Sequence, residues 1–243
     1  MVEDATTKRV LCLFANILDY PSADIVSEVR ECQTLLSARS PDAAAFLGDF
    51  YALTEGSPYG RLEELYTGVF DLDPICFPYV GYHMFGESYK RSSFMVILKE
   101  QFRKHGFEQE GSDLPDRLST LLRFLSVCND DDLAQEIIDL GMVPALDKMM
   151  KGVAREEKGL KIEDKFASAI TQLEGEGTED EILQGGFVLE MSKDDGEGKQ
   201  YPVGNNPYQP VLRALSMVLQ SPEFMRAKER IISAAYPGGG HHA

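Results

Sequence analysis

The sequence predicts an all-α protein, a single helical domain of about ten helices with an acidic, Gly-rich loop near its C-terminus. Apolar residues recur at spacings of three and four along most of the chain, which is the period of a helix buried on one face. Proline and glycine punctuate the breaks between these segments. With 243 residues, 43% of them hydrophobic, the chain can bury a core without disulfides or metals.

Four helices are predicted before residue 71. The first ends at Tyr20-Pro21 because proline disfavours a helical residue before it, the third begins at Pro41-Asp42, and Gly56-Ser57-Pro58 ends that third helix. The predicted inward faces are, in order, Val10, Leu13, Phe14, Ile17 and Leu18; Ile25, Val29, Cys32 and Leu36; Leu47, Phe50, Tyr51 and Thr54; and Leu62, Leu65, Tyr66 and Val69.

Residues 71–82 (DLDPICFPYVGY) break the helical pattern. Two prolines, a glycine and several aromatic residues predict an ordered aromatic loop rather than a helix or a polar linker. A long helix should follow from about Glu87 to Lys104, with Phe94, Leu98 and Phe102 turned inward.

The next helix is predicted to begin near Asp113, after the break between Gly106 and Gly111. Asp113 can cap it, Pro115 is tolerated in its first turn, and Asp116 suits the helix dipole. Another helix should run from residues 129–132 to Gly141, and one more should begin at Pro144. The apolar positions of these helices are Leu118, Leu121, Leu122 and Leu125; Leu133, Ile137 and Leu140; and Met149 and Met150.

The last third of the chain divides by composition. Ile162, Phe166, Ile170 and Leu173 predict a long helix that closes a main helical domain over 1–173. Residues 174–206 are read as an acidic flexible insertion with a hairpin at Gly186–Val203, because nine acids and one lysine lie between Glu174 and Glu197. Two C-terminal helices over 207–236 should pack on the same core, and 237–243, with His241 and His242, form a disordered tail.

The net charge of −16 and pI of about 4.7 bear on partners. Such a surface repels phosphate backbones and anionic lipid, so we do not expect nucleic acid or anionic membranes as partners, whereas a basic peptide would be attracted; the alternative is that the charge serves solubility alone. No apolar run reaches the roughly 20 residues of a membrane span, and no signal peptide is recognisable.

Catalytic and metal motifs are missing from the sequence. There is no phosphate-binding P-loop, no H-E-x-x-H and no C-x-x-C, and the four cysteines read as reduced, mostly core residues. Ser88 lacks the closing glycine and the preceding strand of a nucleophile elbow. His105 fits a helix C-terminus, while His83 sits beside the aromatic loop. We therefore expect no enzyme, no catalytic residue, no metal site and no permanently bound cofactor.

One stretch carries a resemblance to a known family. Tyr79–Arg91 reads YVGYHMFGESYKR, Phe94-Met95 follows, and Leu114–Leu118 reads LPDRL. This order resembles the nitrate reductase delta subunit and its TorD-like relatives. These are the chaperones of dimethyl sulfoxide reductase family molybdoenzymes, also called redox enzyme maturation proteins. The likeness is greatest to the branch that serves nitrate-reductase-like (type II) enzymes, and it extends as a pattern over most of residues 10–150.

The resemblance implies an all-α, cytoplasmic, system-specific chaperone, either a monomer or a domain-swapped dimer. Its partner would be the apo catalytic subunit of a molybdoenzyme, bound through an N-terminal or twin-arginine segment until the molybdenum cofactor is inserted. A stably bound accessory subunit is the alternative, and an enzyme that uses carboxylates alone is a more distant one. Relatives usually carry His where this chain has Arg117, so a role that needs that histidine does not transfer.

The expected partner-binding surface combines the two motifs. Tyrosines offer broad, rigid contact area with a polar end, and Glu87 and Asp116 could receive arginines of a leader peptide. The opposing interpretation is that the aromatic rings fill a seam between helices and the acids cap helix starts. The candidate binding residues are Tyr79, Tyr82, His83, Phe85, Glu87, Tyr89, Arg91, Leu114, Pro115, Asp116 and Arg117.

Overall fold

Helices make up most of the described chain in a computed structural model, which describes residues 5–71, 76–109, 111–151 and 206–221. Three predicted features lie outside these ranges: the helix at 162–173, the acidic segment 174–206 except for its last residue, and the elements after residue 221. The α-helices are α1 (Ala5–Ile17), α2 (Ile25–Leu36), α3 (Pro41–Thr54), α4 (Tyr59–Phe70), α5 (Val80–Phe85), α6 (Tyr89–Lys104), α7 (Leu118–Val127), α8 (Asp131–Glu136), α9 (Val143–Lys151) and α10 (Gln209–Leu219).

Helix α1 lies at the centre of the fold. It packs against α7 on one side and α2 on another, and almost every apolar residue between Val10 and Leu18 is buried. Helix α3 packs on α2 and α10, and α10 also packs on α9. The buried side chains of all these helices form one continuous core. The all-α prediction is therefore confirmed for the described residues, as are the inward faces of the first two helices; in the third, Leu47, Phe50 and Thr54 are buried but Tyr51 is only half-buried.

An aromatic cluster anchors α10 in this core. Tyr208, just before α10, is 1% exposed, and its ring centroid lies 4.9 Å from that of Phe50, 5.0 Å from Phe70 and 6.1 Å from Tyr66. Burial raises the pKa of the Tyr208 hydroxyl. The C-terminal helix that the sequence predicts around Val211 thus completes the core formed by the first 70 residues.

Two predicted boundaries in the middle of the chain are wrong. Residues 114–117 form a turn closed by the Arg117 N–H to the Leu114 carbonyl, and α7 begins at Leu118 rather than near Asp113. Val80 and Gly81, which the sequence placed in the aromatic loop, begin the short helix α5. Both differences arise because residues 78–80 and 116–118 hydrogen-bond to each other, and this tertiary pairing overrides the local capping preference of Asp113.

A third difference lies between Asp131 and Lys151. The sequence predicts a break at Gly141, but α8 continues through a π-helical turn, Ile137–Met142, directly into α9. The Val143 N–H bonds to the Ile138 carbonyl, five residues back. Pro144 cannot donate a hydrogen bond, and the wider turn before it accommodates the ring without ending the helix.

The cysteines and the helix lengths agree with the remaining sequence expectations. All four cysteines are free; Cys32, Cys76 and Cys128 are buried, whereas Cys12, predicted in the core, is only half-buried. Burial raises the pKa of Cys32 and of Cys76 to about 12, so neither thiol is a nucleophile near neutral pH. No helix within the described ranges is long and apolar enough to cross a bilayer.

Candidate functional site

The two sequence motifs meet through their backbones. The Val80 N–H donates to the Asp116 carbonyl at 2.8 Å, and the Leu118 N–H donates to the Pro78 carbonyl at 2.8 Å. These bonds form an isolated antiparallel bridge between Tyr79 and Arg117. The fold therefore places the aromatic stretch and the Leu-Pro-Asp-Arg stretch side by side, although 38 residues separate Tyr79 from Arg117.

Asp116 and Arg91 form a buried ion pair beneath this bridge. Arg91 Nε donates to Asp116 Oδ2 at 2.7 Å, and Arg91 Nη2 lies 3.4 Å from Oδ1. The Asp116 side chain has no exposed surface and that of Arg91 is 14% exposed. In this conformation the chain's own Arg91 holds the carboxylate that the sequence analysis expected to receive an arginine from a partner. Pairing, rather than the predicted helix-dipole contact, is what stabilises the buried charge.

Gly81 makes this close packing possible. A Cβ atom at residue 81 would lie 2.6 Å from Asp116 Oδ2 and 3.0 Å from Phe94 Cδ1. Both distances are below ordinary van der Waals contact, and Asp116 is held by Arg91. Any side chain here would push α5 away from the ion pair. The sequence prediction did not single out Gly81, because its role depends on atoms 35 residues away.

Arg91 also contacts the two tyrosines of the motif. Its guanidinium carbon lies 5.2 Å from the ring centroid of Tyr79 and 5.8 Å from that of Tyr82, within the range of cation–π attraction. The Tyr82 ring packs on Phe77, with centroids 4.1 Å apart. Tyr79 and Tyr82 are half-buried, and burial raises the pKa of the Tyr79 hydroxyl. Arg91 thus holds both rings in fixed positions at the surface.

His83 is a structural residue. It is 6% exposed, and its Nε2 donates to the Phe77 carbonyl at 2.7 Å, which fixes the proton on that nitrogen. Lys148 Nζ donates to the His83 carbonyl at 2.7 Å. Burial, with a smaller contribution from the charges of Lys148 and Arg91, lowers the pKa of His83 to about 4 despite the opposing effect of the Phe77 hydrogen bond. His83 is therefore neutral at pH 7, and its ring lies beneath the surface to which the sequence prediction assigned it.

Arg117 joins three parts of the chain. Its Nη2 lies 2.6 Å from Asp19 Oδ1 and 2.7 Å from the Tyr66 hydroxyl, and its Nη1 lies 2.7 Å from Asp113 Oδ1. Arg123 Nη1 shares Asp19, at 2.8 Å from Oδ2. Burial alone would lower the pKa of Arg117, but Tyr66, Asp19 and Asp113 more than offset it, so the pKa is raised. The side chain is 12% exposed and acts as a structural link.

The remaining candidates divide by exposure. Pro115 is buried, Phe85 is half-buried with its ring 5.5 Å from that of Phe94, and Glu87 is exposed. Tyr89 and Leu114 are 65% and 39% exposed. Of the eleven candidate residues, six are half-buried or exposed and are not held in an ion pair within the chain. We call them the aromatic surface: Tyr79, Tyr82, Phe85, Glu87, Tyr89 and Leu114.

No metal centre is evident in the part of the chain that the structure describes. There, His, Cys, Asp and Glu side chains nowhere come together in groups of three or more that could hold an ion.

Comparison with known proteins identifies sequence relatives. No protein family model matches the chain. The nitrate reductase molybdenum cofactor assembly chaperone NarJ of Escherichia coli (strain K12) is 26% identical over 140 residues, covering 56% of this chain and 59% of that protein. The nitrate reductase molybdenum cofactor assembly chaperone NarW of the same strain, named as probable, is 26% identical over 138 residues, covering 57% and 58%. The chain thus spans a little under three-fifths of the length of these curated relatives.

Among solved structures, a protein from Archaeoglobus fulgidus described as a redox enzyme maturation protein aligns with 70% of this chain and 94% of its own length. The identity is 23% and the TM-score 0.42. The sequence matches to NarJ and NarW confirm the resemblance predicted from residues 79–118: over a little more than half of its length, this chain is similar to two nitrate reductase molybdenum cofactor assembly chaperones.

Proposed function

We propose that this chain is a chaperone that binds the apo catalytic subunit of a molybdoenzyme and assists insertion of its molybdenum cofactor. The observation that carries the proposal is the sequence match to two proteins named as nitrate reductase molybdenum cofactor assembly chaperones. On this proposal the chain acts in the cytoplasm, catalyses no reaction and holds no cofactor of its own.

The aromatic surface supports binding of a partner segment. Tyr79 and Tyr82 are held in place by Arg91, so they lose little side-chain freedom when a partner binds. Tyrosine rings are well suited to such contacts because they combine a large apolar face with a hydroxyl. Tyr89 and Leu114 add exposed apolar area.

Glu87 is the carboxylate best placed for an arginine of the partner. It is exposed, whereas the Asp116 carboxylate is buried against Arg91. Pairing of a guanidinium with a carboxylate adds orientation as well as energy. Glu87 therefore takes the role that the sequence prediction shared between two acids.

Capture and release follow from equilibrium binding. The net charge of −16 speeds the encounter with a basic, apolar leader segment and makes that encounter sensitive to salt. Release follows when the partner folds around its cofactor and buries the segment. A retained accessory subunit would instead co-purify with the mature, cofactor-loaded enzyme.

Calorimetric titration tests the proposal. The protein is titrated with a synthetic N-terminal peptide of a molybdoenzyme catalytic subunit from the same organism, and with the apo subunit, at low and physiological salt. Micromolar binding should weaken with salt and in the variants Glu87→Gln and Tyr89→Ala. Glu64→Gln and Tyr59→Ala, exposed positions on α4 that lie outside the aromatic surface, are the matched controls. If neither peptide nor apo subunit binds at either salt, the proposal is wrong.

A further inference from the structure

Helix α6 has the opposite charge to the rest of the molecule. It carries five cationic residues and one carboxylate, Glu100, in a chain whose net charge is −16. One of the five, Arg91, is neutralised by Asp116. The other four cations, Lys90, Lys99, Arg103 and Lys104, make α6 locally positive on a protein that is negative overall. The proposed capture of a basic leader segment does not use this positive charge.

An exposed row runs along the outer face of α6. Tyr89, Ser92, Val96, Lys99 and Arg103 follow one another at spacings of three, four, three and four residues, which places them on one face of the helix. All five are exposed, with Tyr89 at 65% and Val96 at 53%. We call this row the α6 stripe. It begins at Tyr89, which also belongs to the aromatic surface, and ends with the two cations Lys99 and Arg103.

The cationic end of the stripe opens onto a cavity of about 390 Å³. The Phe102 and Phe107 rings, with centroids 5.0 Å apart, give the cavity an apolar lining. The lining is completed by Lys99, Arg103, Gly106, Glu108 and Gln109.

Lys99 and Arg103, the two cations at this cavity, make few contacts with other charged groups of the described chain. Lys99 makes no ion pair or hydrogen bond with the described part of the chain. Arg103 Nη2 lies 3.5 Å from Glu100 Oε1, an oxygen that Lys104 Nζ also approaches at 3.7 Å, and its side chain is 78% exposed. The carboxylate of Glu108 is exposed at the rim. Two cations beside an apolar cavity thus remain available to a ligand that carries both carboxylates and an apolar side chain.

We propose that the α6 stripe docks an acidic, amphipathic segment of the partner polypeptide, separate from its basic leader segment. Carboxylates of that segment pair with Lys99 and Arg103, one apolar side chain enters the cavity beside Phe107, and a further apolar residue covers Val96. Charge complementarity selects this occupant, since a basic segment would be repelled here and attracted elsewhere. The inference rests on the proposed function, because it assigns a second contact to the same partner.

Charge removal on the stripe is the direct test. The double variant Lys99→Gln/Arg103→Gln is compared with Arg30→Gln/Arg61→Gln, which removes the same charge from exposed positions on α2 and α4. Binding of apo catalytic subunit and of its N-terminal peptide is measured by calorimetry at low and physiological salt.

We expect the stripe variant to bind the apo subunit about tenfold more weakly, which is the loss expected when two exposed charge contacts are removed, and with a smaller salt dependence. Its affinity for the peptide should equal that of the control. Val96→Ser should weaken subunit binding without changing the salt dependence.

Each other outcome contradicts the inference in its own way. Equal subunit affinity of stripe variant and control overturns it while leaving the proposed function intact. Loss of peptide binding together with subunit binding shows that the stripe contacts the leader segment, and so overturns the separate acidic contact. Failure of the wild-type protein to bind either ligand removes the proposed function as well. Salt-sensitive self-association that Lys99→Gln/Arg103→Gln abolishes, seen by sedimentation velocity, makes a second copy of this acidic chain the occupant.

Discussion

The buried neutral histidine should make the protein lose stability as the pH falls. In the folded state the pKa of His83 is about 4, against 6.5 for a free histidine, and burial is the main cause. Between these two pKa values the unfolded chain binds a proton that the folded protein does not. The free energy of unfolding therefore decreases as the pH falls through 6.5, and the decrease is complete once the pH is below about 4.

The size of this effect follows from the two pKa values. At pH 5 the unfolded chain is almost fully protonated at this histidine, while the folded protein is still largely neutral. Relative to pH 8, the linkage removes about 2 kcal/mol of stability, a large part of what a domain of this size has. In His83→Gln the side-chain amide can still donate to the Phe77 carbonyl, but the titration is gone.

Urea denaturation of both proteins at pH 8 and pH 5 measures the effect. Carboxylates titrate in both proteins, so the difference between wild type and His83→Gln isolates the histidine. We expect the wild type to lose about 2 kcal/mol more than the variant between the two pH values. NMR titration of the histidine ring gives the folded-state pKa directly. Parallel loss in the two proteins, or a ring that titrates near 6.5, would refute the reasoning.

Three further predictions concern the ion pair and the arginine link. Asp116→Asn removes the anion beside the partly buried Arg91 and should cost about 3 kcal/mol of unfolding free energy, measured in urea; an unchanged value would show that the pair is not buried in solution. Gly81→Ala should cost about 1–3 kcal/mol because its Cβ meets Asp116, whereas Gly68→Ala, a helical position with open space, should gain up to about 1 kcal/mol; equal shifts in the two variants would contradict the close approach. Arg117→Lys cannot make all three contacts of the guanidinium, so its thermal midpoint should fall by a few degrees, about 1–2 kcal/mol, and an unaltered midpoint would count against the link.

Helical periodicity predicts most of this fold because each helix buries one face. The faces of α1 to α3, the position of α6 and the buried face of α10 all follow from apolar spacing alone. The start of α7 does not, because Asp113-Leu114-Pro115-Asp116 has the composition of a helix N-terminus, whereas the chain forms a turn there and residues 116–118 pair with residues 78–80. The helix through Gly141 and Pro144 was missed for the same kind of reason: both residues normally end helices, and a π turn is not visible in apolar spacing.

Within the candidate site, the sequence predicts which segments matter better than what each side chain does. The motif at residues 79–91 and the one at 114–118 do come together, and each contains one residue of the ion pair, Arg91 in the first and Asp116 in the second. Other candidate residues contact side chains that are distant in the sequence: Arg117 binds Asp19, and the His83 carbonyl accepts from Lys148. No local pattern marks such contacts. The choice of the eleven residues as a partner-binding surface stays a prediction until the peptide titration is made.

The position of α10 has a consequence for synthesis of the protein. Helix α10 packs between α3 and α9, and Tyr208 touches three aromatic rings from the first 70 residues. These early helices leave the ribosome long before residue 219 does. During that interval the apolar side chains that α10 and Tyr208 cover in the finished fold, including Phe50, Tyr66 and Phe70, lack this cover. The packing of the first four helices is thus incomplete until α10 has emerged. Ribosome-associated holding factors would be expected to bind the nascent chain during that period.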